Sequence, residues 1–331
     1  MRSPTRFSYS AFALFEKDPE EYAVKYLTET RAPRQPQERP ASVGSCFDAK
    51  AKSMLHAALF GEGADAEYSF EALFEAQVEP HNRDWVKDEG LYVFDCYKYS
   101  GAYDTLLNQL KRSIVPPRFE FTVDCDINGV PFTGKPDCRF VLPGPIHVVH
   151  DWKVNGYCSN SATSPTKGYQ LVGDGELPPK PNKKDKIAHA LFTALDLGEL
   201  TVDANYMEDI SESWADQLSL YGWSLGEKIG DENVILSVHQ VVAKPIPNRR
   251  PFLRFAEYRR RVRKPYQDLL VKRFTTAWQR ITSGHPLHFL TKEENDQRLL
   301  ALEDESVGLQ TDGSSRENFF AECVRPAFRG K

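Results

Sequence analysis

The chain has 331 residues, a formal net charge of −5, 40% hydrophobic and 27% charged residues. This balance fits an ordinary globular chain and excludes the strongly basic composition of a protein that coats nucleic acid indiscriminately. No apolar run reaches the ~20 residues of a membrane helix. Glu16, Lys17 and Asp18 interrupt the N-terminal apolar stretch, so it does not read as a signal peptide. A cytoplasmic location and no membrane partner are expected, in one large domain or two small ones.

Ser8 and Ser10 are good helix N-caps, and Phe12, Phe15, Tyr22 and Tyr26 recur at roughly helical spacing. Asp18-Pro19 breaks the run, because the residue before proline avoids the α region. Two short helices and a Pro-rich linker over 31–40 are therefore expected. Helices follow at about 41–60, 66–77 and 90–112. From Phe119 to Ile127 apolar and polar residues alternate with the strand period. Asn128-Gly129 is a strong hairpin signal, and 130–133 returns. The sheet continues over 135–142, turns at Pro143-Gly144-Pro145 and resumes over 146–154. The stretch 155–186 is polar and without period, a long loop of the kind that is functional or unstructured. Helices are expected near 186–198, 211–229, 262–283 and 291–304, with strands over 234–243 and 252–258. The fold class is α/β, a central mixed sheet flanked by helices. One domain over 1–304 carries an insertion at about 155–210, and 305–331 is a weakly structured tail.

The chemistry concentrates where two apolar runs end. Gly134-Lys135-Pro136-Asp137 lies beside one and Asp151-Trp152-Lys153 ends the next. Alternation along a strand projects Asp151 and Lys153 from one face and Trp152 from the other. Asp137 on the neighbouring strand reaches the same point. Two carboxylates so close disfavour each other's ionisation unless a cation lies between them. Oxygen ligands suit a hard cation, so one or two Mg²⁺ ions held by Asp137, Asp151 and the Trp152 carbonyl are expected, with Mn²⁺ able to substitute. Lys153 would orient or deprotonate a water attacking a phosphodiester. Gln217 and Tyr221, i and i+4 on one helix, share a face.

This ordered set resembles the RecB-like, phage-type exonuclease branch of the PD-(D/E)XK nuclease superfamily, including its restriction-endonuclease-like core. Ser8-Tyr9-Ser10-Ala11-Phe12 and Pro19-Glu20-Glu21-Tyr22 resemble the branch's N-terminal helix pair. The branch has an upstream G-x-x-x-H motif whose His binds metal; here Gly44-Ser45-Cys46-Phe47-Asp48 places Asp48 there. The resemblance implies a Mg²⁺-dependent DNA nuclease, exonuclease before endonuclease, in recombination, repair or phage DNA processing. Asp48, Asp137, Asp151 and Trp152 would bind metal, Asp137, Asp151 and Lys153 would be catalytic, and Gln217 and Tyr221 would position DNA. A recombinase or single-strand-binding protein is a candidate partner, and an oligomer is compatible. A bacterial or phage-infected cell is the expected setting.

Cys46, Cys96, Cys125, Cys138, Cys158 and Cys323 form no CxxC pair, so buried reduced thiols are expected, with neither structural zinc nor an iron–sulfur cluster. His147, His150 and His189 lack zinc spacing. Lys180, Lys183, Lys184 and Lys186, with Tyr157, Lys167 and Tyr169, make a mix that suits contact with nucleic acid. The cations between 244 and 280 add a second basic stretch. Two alternatives stay open: an inactive nucleic-acid-binding protein on the same fold, and a ribonuclease.

Overall fold

The computed structural model describes residues 4–28, 36–119, 121–154, 170–172, 194–196, 200–244 and 252–283. Helices α1 (Tyr9–Lys17) and α2 (Pro19–Tyr22) meet at Asp18, whose Oδ1 accepts from the Glu21 N–H at 2.8 Å and caps α2. Ser8 caps α1 through the Ala11 N–H. The long α3 (Arg39–Phe60) and α4 (Phe70–Gln77) follow, the latter capped by Ser69. The single helix expected over 90–112 is instead two, α5 (Arg83–Tyr99) and α6 (Ala102–Lys111). Gly101, at φ 81°, stands between them in a left-handed conformation that glycine adopts freely.

The strands are β1 (Arg118–Phe119), β2 (Val123–Ile127), β3 (Val130–Gly134), β4 (Cys138–Leu142), β5 (Ile146–Val154), β6 (Gln170–Val172), β7 (Ala194–Asp196), β8 (Thr201–Asp203), β9 (Val234–Lys244) and β10 (Phe252–Arg260). Two last helices are α7 (Glu212–Ser224) and α8 (Lys264–Thr282). The six-stranded sheet has the order β1-β4-β5-β9-β10-β6. Only β5–β9 is parallel among its described pairings, so the sheet is mixed and flanked by helices, as expected.

Three expectations are corrected here. The hairpin β2–β3 does not continue the main sheet but forms its own two-stranded ribbon. Asn128 and Gly129 (φ 52° and 84°) give it a tight reversal, and Phe7 tethers it by a hydrogen bond to the Pro131 carbonyl. In the region read as a helix near 186–198, residues 194–196 form β7, paired antiparallel with β8 across a short connection. Pairing with a neighbour overrode the local helical preference there. Helix α7 stops at Ser224, short of the expected 229, with Gly226 at φ 91° just beyond.

Successive residues of β5 feed two cores. Val148 and Trp152 pack with α3, α5 and α6 on one face, beside Phe47, Phe94 and Phe140. Val149 packs on the other with α1, α7, α8 and the ribbon, beside Phe12, Leu218 and Phe274. Each such fully buried side chain contributes about 1.5–3 kcal/mol. Helices α3 and α5 approach so closely at Gly90 that a Cβ there would lie 2.4 Å from Cys46 Cβ. Leu200, Val202 and Met207 are buried too, so the end of the segment read as an insertion belongs to the cores. Of the described cysteines, Cys46, Cys96 and Cys138 are buried thiols.

Among the described residues, several cations of the basic stretch after 244 are ion-paired within the chain. Arg259 pairs with Glu257, Arg260 with Asp203, Arg263 with Glu208 and Asp209, Lys264 with Asp268, and Arg273 with Glu16 and Asp216. Residues 245–251, with Arg249 and Arg250, lie outside the described residues. The lysines at 180, 183, 184 and 186, the 291–304 helix and the 305–331 tail lie outside the described residues. Among the described residues no helix is long and apolar enough to cross a membrane.

Candidate active site

The β4–β5 hairpin builds the site. Its register pairs Cys138 with His150, which sets Asp137, just before β4, beside Asp151. The Trp152 N–H donates to Asp137 Oδ2 at 3.2 Å and fixes that carboxylate. In a strand the N–H and C=O of one residue leave the same edge, so the Trp152 carbonyl also faces this end of β4. Lys153 Nζ lies 2.7 Å from Asp151 Oδ2 and donates to Gln217 Oε1 at 2.9 Å. Gln217 Nε2 in turn donates to the Tyr221 hydroxyl at 3.2 Å.

Helix α7 thus meets the strand end through two side chains one turn apart. Tyr221 is held by packing as well as by Gln217. A Cβ on Gly134 would lie 2.7 Å from Tyr221 Cε1, so the glycine of Gly134-Lys135-Pro136-Asp137 makes room for that ring.

The opposite side of the site is closed by α3. Lys52 Nζ donates to Asp48 Oδ2 at 2.6 Å and to Asp137 Oδ1 at 3.1 Å, with its side chain fully buried. Behind the site, the Trp152 indole donates to the Tyr97 hydroxyl, and that hydroxyl meets His239 Nδ1 at 2.7 Å. His239 Nε2 lies 2.8 Å from Glu257 Oε1. His150, 2.9 Å from Ser237 Oγ, is buried, and burial keeps its imidazole neutral to well below the usual range. It is a structural histidine, and His147 pairs with Glu227.

The electrostatics separate the two carboxyls. Burial opposes ionisation of Asp137, but Lys52, then Lys153 and the Trp152 N–H, outweigh it and hold its pKa below the usual value. Asp151 is pushed up to about 7 by burial and by the charge on Asp137. Burial also works against the Lys153 charge, yet Asp151 outweighs it and raises the lysine's pKa. An acid so raised marks a place where added positive charge would be favourable. Two carboxylates and a backbone carbonyl are the donors a hard divalent cation takes. Asp137, Asp151 and Trp152 therefore fit a metal chemically.

Asp48 meets this site at the Lys52 ammonium, 2.6 Å away. Among the described residues no three His, Cys, Asp or Glu side chains form a metal-ligand group. Lys52 stands between Asp48 and Asp137, in contact with both. The structure brings together Asp137, Asp151 and Lys153 as the strand spacing suggested, and Gln217 and Tyr221 with them as the resemblance implied. Lys52 went unread in the sequence. Its signal was there: a lysine four residues after Asp48, on the helix face of Phe47, Ala51 and Leu55, all fully buried.

No family model matches this chain, and neither a curated protein nor a solved structure does.

Proposed function

We propose that the chain is a Mg²⁺-dependent nuclease acting on DNA, on a restriction-endonuclease-like core of the RecB-like kind. The observation that carries this reading is the joint placement of Asp137, Asp151 and Lys153 at one strand end, with Lys153 tied to Gln217. Bound Mg²⁺, with Mn²⁺ as a substitute, would be held by Asp137, Asp151 and the Trp152 carbonyl. It would supply an activated water and neutralise charge on the scissile phosphate.

The chain's own groups divide the remaining work. Lys153 orients or deprotonates the water and holds a phosphate oxygen as charge develops; in the metal-free site Asp151 outweighs burial and raises the lysine's pKa. Gln217 fixes the ammonium's direction, and Tyr221 fixes Gln217. The Trp152 N–H and Lys52 hold Asp137 ionised. Exonuclease before endonuclease, the setting of recombination, repair or phage DNA processing, and a recombinase or single-strand-binding partner rest on the family resemblance alone.

The test is digestion of end-labelled linear duplex, single-stranded and covalently closed circular DNA, and of RNA, with Mg²⁺, Mn²⁺ or EDTA. Metal-dependent loss of linear DNA with circles spared is the expected result, and Asp137→Ala and Lys153→Ala should abolish it. Cut circles would make it an endonuclease, and cleavage of RNA alone a ribonuclease. A second reading, a nucleic-acid-binding protein without cleavage, draws on Lys52, which already gives Asp137 a cationic partner. DNA binding without cleavage in any metal would establish it.

A further inference from the structure

We infer that Lys52 is a resident cation of this site, standing where a metal bridging Asp48 and Asp137 would sit, so that the chain binds one divalent ion rather than two. The inference rests on the metal-dependent reading above and departs from its family pattern, in which the residue at position 48 ligates metal.

Lys52 extends from the apolar face of α3, between Ala51 and Leu55, and its side chain is 0% exposed. An ammonium removed from water costs several kcal/mol unless it is paired. Here two carboxylates from distant parts of the chain supply the pairing. Asp48 lies one turn earlier on the same helix, and Asp137 lies 85 residues further along. The contacts of 2.6 and 3.1 Å put the nitrogen between the two side chains. A Mg²⁺ bound to both would require oxygens at ~2.0–2.1 Å in the same space. The ammonium and such an ion exclude each other. Asp48 is then the anchor of Lys52, and Asp137 keeps Oδ2 for the Trp152 N–H and for the Asp151 side of the site.

The assignment has a further consequence. A lysine cannot dissociate, so this positive charge stays in place when metal leaves. Asp137 is held in position in the metal-free protein, and the metal has only the Asp151 side left to complete. Loading is expected to follow a single-site isotherm.

The test counts ions. Mn²⁺ is titrated into the full chain, and free Mn²⁺ is followed by its paramagnetic resonance signal, without DNA. One ion per wild-type chain and two per Lys52→Met chain are expected. Two ions in the wild type would overturn the inference while leaving the nuclease reading intact. One ion in both proteins would also overturn it, since Lys52 would then be no stand-in. No specific Mn²⁺ binding by the wild type would overturn the metal-dependent reading and the inference together. Should Lys52→Met fail to fold, Asp48→Asn decides alongside the wild-type count. Its Mn²⁺ affinity should stay within about twofold of wild type, and a tenfold loss would make Asp48 a ligand and overturn the assignment.

Discussion

The two sides of the site treat the same chemical group differently. On the α3 side, the Lys52 side chain is 0% exposed and lies against two carboxylates. On the α7 side, Lys153 is 24% exposed and lies between Asp151 and the amide of Gln217. A sealed ammonium can only organise the protein around it. One that opens to solvent can also meet a phosphate. On the proposed reading the contrast gives architecture to one lysine and chemistry to the other, each touching one of the two neighbouring acids: Lys52 touches Asp137 and Lys153 touches Asp151.

Removing each cation should break the comparison in opposite ways. Lys52→Met leaves Asp48 and Asp137 facing each other without their shared cation, and without metal it should lose about 3–5 kcal/mol of stability. Urea denaturation in EDTA measures this, and a loss below 1 kcal/mol would mean that Lys52 is not structural. Lys153→Ala should keep nearly all its stability but lose about 10²–10³-fold in cleavage rate, the usual cost of one transition-state donor. Equal stability losses in the two variants would erase the distinction between the two sides. Gly134→Ala drives a methyl toward the Tyr221 ring and should cost about 1–3 kcal/mol. It should also slow cleavage through Gln217, whereas Gly144→Ala, far from Tyr221, should not.

The finest probe is pH. The folded-state pKa of Asp151 is raised from 3.8 to about 7, so the protonated acid is the form that folding favours. Its contribution to stability is fully present below about pH 4 and is lost as pH rises toward 7. In EDTA the melting temperature of wild type relative to Asp151→Asn should therefore fall between pH 4 and 7 and level off above. A difference that rises over that window would mean that Asp151 is stabilised as the anion by Lys153.

Local signals carried the strands, and longer-range contacts did not announce themselves. Asn128-Gly129 and Pro143-Gly144-Pro145 mark turns because their backbone demands are written in the residues themselves. Through the second turn, Asp137 and Asp151 become neighbours, which is why the heart of the site was legible. The ribbon's departure from the main sheet was not, since strand alternation says nothing about which partner a strand takes. The break at Ser100-Gly101 was overlooked because apolar spacing runs on past it into Tyr103 and Leu106. The faint signal of Lys52 is easily passed over for a general reason. A lysine on a helix is read as a surface group, and the acid that justifies its burial is remote in the chain.

The parallel pairing of β5 with β9 has a consequence in time. Antiparallel β4 and β5 close through a short turn, while β9 reaches β5 only after the long stretch that ends in α7. Contacts between remote segments form slowly because loop closure must precede them. During synthesis Asp137 and Asp151 therefore leave the ribosome before Gln217 and Tyr221, which aim Lys153, have been made. The candidate site is complete only once α7 and the parallel strand β9 are in place.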